Sequence, residues 1–167
     1  MPEIICDCCC ISNFALSNSL SLLKRLYGGS VFISDFVSTE ILRGIQKGHR
    51  ELEKILISVK EGWLKETGLV KKEEKLLFQA LSVSMGLGEA SSIAAAKTRG
   101  FFFASDDKTA RREAGLLGVK LTGTLGLLRK AVLNNCLSQN DGDLILREMI
   151  SKGFYSSVSS LSETKNR

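Results

Sequence analysis

The sequence has a single histidine, His49, in 167 residues, and it lies in a charged stretch. Serine or cysteine hydrolase chemistry would lean on that residue alone, so triad-type hydrolases are set aside. No apolar run approaches the ~20 residues that a bilayer span requires, and no membrane segment is expected. Met1-Pro2-Glu3 lacks a basic start and Asp7 interrupts the first apolar run, so no secretory signal is expected either. There is no internal repeat. Gly86-Leu87-Gly88 lacks the rest of the dinucleotide fingerprint. Asn140-Asp141-Gly142-Asp143 lacks the later ligands of a calcium loop and reads as helix capping.

Spaced cysteine pairs are missing as well. Four of the five cysteines crowd into Cys6, Cys8, Cys9 and Cys10. Such close neighbours cannot easily form separate disulfides, which points to a reducing cytoplasm. A zinc site would pair spaced cysteines with a second distant pair, and only Cys136 remains. The run therefore reads as small buried hydrophobes.

What is present is an ordinary globular composition, 44% hydrophobic and 25% charged, long enough to bury one core without staples. The net charge of +5 modestly favours a polyanionic partner. The most informative stretch is Phe101-Phe102-Phe103-Ala104-Ser105-Asp106-Asp107, a short buried strand ending in a hydroxyl and two carboxylates. Lys108 to Leu117 then takes up helical spacing, with Ala110, Ala114 and Leu117 on one stripe.

Other segments repeat that strand–helix alternation. Glu3 to Cys6 is a strand ending at Asp7. Ile11 to Tyr27 is helical, with a break near Ser17 to Ser19 and a stop at Gly28-Gly29. Ser30 to Ser34 is a second strand, and Asp35 to Ile45 a helix with Val37, Ile41 and Ile45 buried. Glu40 lies at the edge of that inward face. Residues 48–84 form a charged helical layer or flap, with Trp63-Leu64 a turn or short strand. A helix opens at Gly86 and carries Glu89 in its first turn, on the interior side. Gly118 to Leu121 is a fourth strand, followed by a helix with Thr122 or Thr124 as N-cap. A last helix runs from about Gly142 to Lys152. The expected architecture is a single domain over 1–155 with a frayed polar tail over 156–167. Its fold is a three-layer α/β/α sandwich around a mostly parallel sheet of four to five short strands.

In a parallel sheet, strand carboxyl ends lie on one edge, so Asp7, Asp106 and Asp107 converge there, with Glu89 and Glu40 beside them. Bare, such a cluster is unfavourable, because like charges raise one another's pKa. A divalent cation relieves the repulsion, and all-oxygen ligation suits Mg²⁺ or Mn²⁺. Asp7, Glu89, Asp106 and Asp107 are the candidate metal ligands. Ser105, Lys108, Arg111, Arg112, Thr122 and Thr124 are the candidates for contact with substrate phosphate. A receiver-like phosphoacceptor also gathers aspartates at strand ends. It needs its acidic pair near the first strand and a lysine after the last, whereas here the pair comes late and Lys120 precedes its strand's end.

Ile4-Ile5-Cys6-Asp7, Ser38-Thr39-Glu40-Ile41, Gly86-Leu87-Gly88-Glu89-Ala90-Ser91, Ala104-Ser105-Asp106-Asp107-Lys108 with Ala110-Arg111, and Gly118 to Leu128 together resemble a PIN domain. The resemblance is to the bacterial and archaeal subgroup related to VapC-type toxin ribonucleases, and 48–84 matches poorly. It implies an α/β/α sandwich that cuts single-stranded RNA with Mg²⁺ or Mn²⁺, as the toxin of a pair with an antitoxin protein. It also implies that Asp7, Glu40, Glu89 and Asp107 occupy the catalytic acidic positions, and that homodimers are common. Cys8-Cys9-Cys10 stand where family members often carry a small hydroxyl residue, with Ser12 and Asn13 the nearest polar substitutes. That departure favours a second reading, a module that binds RNA or a protein without cutting.

Overall fold

The computed structural model describes residues 1–163. Five parallel strands form one sheet: β1 (Ile4–Cys6), β2 (Val31–Ser34), β3 (Leu64–Thr67), β4 (Phe102–Ala104) and β5 (Leu121–Thr122). The spatial order is β3-β2-β1-β4-β5, with Ile4 opposite both Val31 and Phe102 and with Phe103 opposite Leu121. The order runs outward in both directions from β1, so the chain reverses its direction of travel across the sheet between β1 and β4. In parallel sheets the crevice at such a reversal is the customary ligand site.

Strand alternation separates two cores. Ile4 and Cys6 of β1 and Ala104 of β4 face one layer, while Ile5 and Phe103 face the other. The first layer contains α1 (Cys8–Leu16), α2 (Leu20–Tyr27), α3 (Asp35–Gln46), α4 (Glu53–Lys60), α8 (Thr124–Leu133) and α9 (Gln139–Ser151). The second contains α5 (Lys72–Leu81), α6 (Leu87–Arg99) and α7 (Lys108–Leu116). This is the three-layer α/β/α arrangement expected from the sequence.

Several boundaries differ, each for a local reason. The helix expected from Ile11 begins at Cys8, because Asp7 accepts the Cys10 amide at 2.7 Å and caps it. The break falls at 17–19, where Asn18 takes a φ of +55° and α2 restarts. The flap at 48–84 also contributes a strand. β3 is an edge strand paired only to β2, and its Lys65 and Glu66 are exposed, so it shows no buried run in sequence. The last strand is Leu121–Thr122 rather than Gly118 to Leu121. α9 starts at Gln139, because the Ser138 hydroxyl caps the Asp141 amide. The tail is not frayed throughout. Leu161 is 4% exposed, and the Asp143 carboxylate accepts from the Leu161 amide at 2.7 Å and the Ser160 hydroxyl at 3.0 Å. Residues 164–167 of the expected tail lie outside the described residues. No described helix is long and apolar enough to cross a membrane.

Candidate active site

Four acids are drawn to the carboxyl edge of the sheet by the way helices begin. A helix leaves its first amides without intrahelical partners and carries a partial positive charge there, so a carboxylate is favoured at that point. Asp7 caps α1. Asp107 caps α7 by accepting the Ala110 amide at 2.8 Å. Glu89 reaches back to the Gly86 amide at 3.2 Å, ahead of α6. Asp106 accepts the Thr124 amide at 2.9 Å, the first residue of α8. Helices from both layers therefore point their amino ends at one crevice.

Asp7 is the most deeply placed of these four acids, at 2% exposure. Its Oδ1 serves the cap, while its Oδ2 has no hydrogen-bond partner. Burial pushes its pKa up to about 7; the nearby Ser105 hydroxyl and the Cys10 amide partly offset this, and the charges of Asp106 and Glu89 add to it. The Ser105 hydroxyl thus eases the charge without completing a hydrogen bond to Oδ2. Glu89 is also raised, first by burial and then by Asp107, with Gly86 N–H opposing and Glu40 adding. The acids therefore feel one another across the crevice.

Glu40 of α3 completes this side. A Cβ on Gly88 would stand 2.7 to 2.9 Å from its carboxylate atoms, so the glycine is what lets α3 and the first turn of α6 approach there. Asp7, Glu40 and Glu89 line a small cavity of about 90 Å³ together with Gly86, Cys8 and Cys9. Cys8 and Cys9 also border a larger cleft of about 440 Å³, which holds Asp106, Asp107, Asn13 and the chain from Lys152 to Tyr155.

The remaining expected site residues divide sharply. Asp106 is a clamp rather than a free ligand: one oxygen takes the Thr124 amide, the other the Thr124 hydroxyl, with Asn13 Nδ2 at 3.4 Å. Thr124 is fully buried in that clamp, and the N-cap position of α8 is Gly123 rather than either threonine. Ser105 is buried and its hydroxyl accepts the Asp107 amide at 3.1 Å, so it positions Asp107 rather than touching substrate. Arg111 donates through Nη1 to the Ser105 and Thr122 carbonyls, both at 2.7 Å, and ties β4 to β5. The Thr122 hydroxyl packs under Gly126, where a Cβ would come within 2.7 Å. Arg112 is exposed and pairs with Glu113 at 2.9 Å on its own helix. Lys108 is exposed beside Asp107. Of the six expected phosphate contacts, Lys108 is the one that is exposed directly after an acid lining the cleft, Asp107.

The expectation of small buried hydrophobes holds for Cys6 and Cys10 but not for the whole run: Cys8 is half-buried and Cys9 exposed, because the first turn of α1 borders the cavities, and all five thiols are free. Burial, with the neighbouring acids, pushes Cys8 up to about 12 and Cys9 up to about 11. They stay protonated at neutral pH and are poor thiolate ligands. The orphaned Oδ2 of Asp7, ringed by further carboxylates, fits a hard divalent cation. Among the described residues no three Asp, Glu, His or Cys side chains form a ready-made cage. That arrangement is compatible with Mg²⁺, which commonly takes one or two carboxylates, several waters and substrate phosphate.

The crevice and topology define a class: an α/β/α domain that gathers carboxylates at the carboxyl edge of a parallel sheet. A family model described as a PIN domain matches residues 3–167, and the chain belongs to that family. PIN domains are in general nucleases that use divalent metal ions. No curated protein matches the sequence. Among solved structures the chain is similar to a domain of a functionally unknown protein from Methanocaldococcus jannaschii DSM 2661. That likeness has 16% identity and a TM-score of 0.49, covering 74% of this chain and 91% of the other. At that distance it carries no argument.

The Lys152–Tyr155 wall of the cleft was not foreseen. Its signal was an aromatic pair, Phe154-Tyr155, directly after a glycine at a helix end and just ahead of the polar tail.

Proposed function

We propose that the protein is a metal-dependent endoribonuclease that cuts single-stranded RNA at the β1–β4 crevice. The observation that carries this reading is Asp7, a carboxylate whose Oδ2 lacks any partner and whose pKa is raised first by burial and then by the charges of Asp106 and Glu89. A fold tolerates such a group when a cation completes it. Asp7, Glu89 and Asp107, with Glu40 close by, would hold Mg²⁺ or Mn²⁺. When bound, the ion supplies a polarised phosphate and an activated water. The chain's own contribution is placement. The caps fix one oxygen of Asp7, Asp107 and Glu89 against backbone amides, and Asp106 anchors α8 against β4. Lys108 draws the RNA backbone toward an otherwise negative rim.

The test is cleavage of a labelled single-stranded RNA with Mn²⁺ or Mg²⁺, before and after chelation. Products that vanish on chelation and return with metal support the reading; cleavage indifferent to metal overturns it. The toxin role and an antitoxin partner rest on the sequence resemblance.

A second reading is favoured by Cys8 and Cys9, which line both cavities where a small hydroxyl residue is common in the family. In it the domain retains RNA without cutting. Retention with no products at any metal concentration would select it.

A further inference from the structure

The cleft that holds Asp106 and Asp107 has an opposite wall made by the end of α9, and that wall is built unlike the acidic side. Lys152 closes the helix, and Gly153 takes a φ of +105°, which turns the chain sharply at a position that suits glycine. The Phe154 amide then bonds back to the Met149 carbonyl at 3.0 Å, and the Phe154 ring packs against the larger core. Tyr155 is left pointing outward at 89% exposure. The chain beyond it is tied down again at Ser160 and Leu161 by Asp143. Tyr155 is thus an exposed ring on a backbone fixed from both sides.

At that exposure nearly the whole Tyr155 ring is free of the fold, with its face open to a ligand. Beside it Lys152 offers a positive charge, and across the cleft stand the acids and Asn13. Resting on the nuclease reading above, we propose that Tyr155 is a stacking platform for an unpaired base of the RNA next to the phosphate held at the acids. Lys152 meets the backbone of the same nucleotide. Rigid aromatic rings bind single-stranded nucleic acid in this way because every base presents a π-face, and a paired base in a duplex cannot reach one. The platform therefore selects single strands without reading sequence.

The test uses full-length protein carrying Asp7→Asn, so that the strand survives, and a single-stranded RNA with one 2-aminopurine. The expected result is quenching of 2-aminopurine on binding, with affinity falling about 5- to 100-fold in Tyr155→Ala and retained in Tyr155→Phe. Lys152→Ala should lower the salt slope of binding by about one unit without abolishing the quench. Equal affinity for Tyr155→Ala and its parent overturns the platform, and so does an equal quench in both. Otherwise wild-type protein that cleaves RNA with a KM unmoved by Tyr155→Ala overturns the platform but not the nuclease. A Tyr155-dependent quench in a protein that never cleaves does the reverse. Protein that binds no RNA overturns both.

Discussion

Two side-chain carboxylates among the described residues are buried, Asp7 and Glu74, and their surroundings push them in opposite directions. Glu74 of α5 is 0% exposed, yet every lone pair has a donor. Arg99 Nε reaches it at 2.6 Å, the Val70 amide at 2.7 Å, the Thr98 hydroxyl at 3.0 Å, and the Lys71 amide and Arg99 Nη2 at 3.1 Å. The Arg99 guanidinium, first among these, pulls its pKa down to about 2. Arg99 also donates to Thr67 and Gly68, so the pair locks the end of β3 to α5 and α6. Asp7 receives one amide, faces other acids and pairs with no basic side chain among the described residues. A buried acid that is fully satisfied holds the fold together. One left half-satisfied among like charges costs stability, and its place at the sheet's reversal point is what the proposed function rests on.

The largest effect should come from the half-satisfied member. Asp7→Asn keeps a capping side chain and removes the charge. RNA cleavage should fall at least ~100-fold, the scale of losing one preorganised electrostatic group. Metal-free stability above pH 7 should rise by roughly 1–4 kcal/mol, measured by denaturant unfolding. Unchanged cleavage would remove Asp7 from the site.

Glu74→Ala should do the opposite. Removing one partner of a buried ion pair typically costs about 3–5 kcal/mol, which lowers the melting temperature by on the order of 10 °C in a chain of this size. Cleavage per folded molecule should hold. A loss of activity without a loss of stability would contradict the division of roles.

Gly88→Ala probes the support of the site. Its Cβ would meet the Glu40 carboxylate at 2.7 to 2.9 Å, displacing a flexible side chain, so stability should change little. Cleavage should drop roughly tenfold, as small misplacements at a reacting centre do. Equal cleavage would show that Glu40 has no part in the reaction.

The smallest effect is in pH dependence. Between 3.8 and about 7 the folded protein keeps a proton on Asp7 that the unfolded chain has released. Metal-free stability from this group therefore falls as pH rises through that window. Glu74 runs the other way. Its contribution is present above 4.5 and is lost as pH falls toward 2. Unfolding curves in Asp7→Asn should lose the first slope and keep the second.

Much of this was legible beforehand, because β1 and β4 are buried on both faces and end in acids. The unbroken apolar runs Ile4-Ile5-Cys6 and Phe102-Phe103-Ala104, together with helical spacing between strands, are enough to bring Asp7 and Asp106–Asp107 to one edge. β3 was harder to see, since an edge strand with Lys65 and Glu66 outward has the pattern of a loop. The clamp of Asp106 on Thr124 joins residues 18 apart through a carboxylate whose partners only the folded chain reveals. Ser105, Thr124 and Arg111 looked like substrate contacts for the same reason. Their polar groups are consumed by backbone and neighbours once β4 and β5 pair. Glu74 and Arg99 carry no local signal of pairing, being 25 residues apart in a charged region.

Calorimetric titration of metal-free protein with Mn²⁺, in wild type and Asp7→Asn, tests the central claim most directly. The account predicts binding in wild type, accompanied by a rise in melting temperature, and at least a tenfold weaker affinity in the variant. Wild-type protein that takes up no Mn²⁺, or that binds it as well without the Asp7 carboxylate, would contradict it.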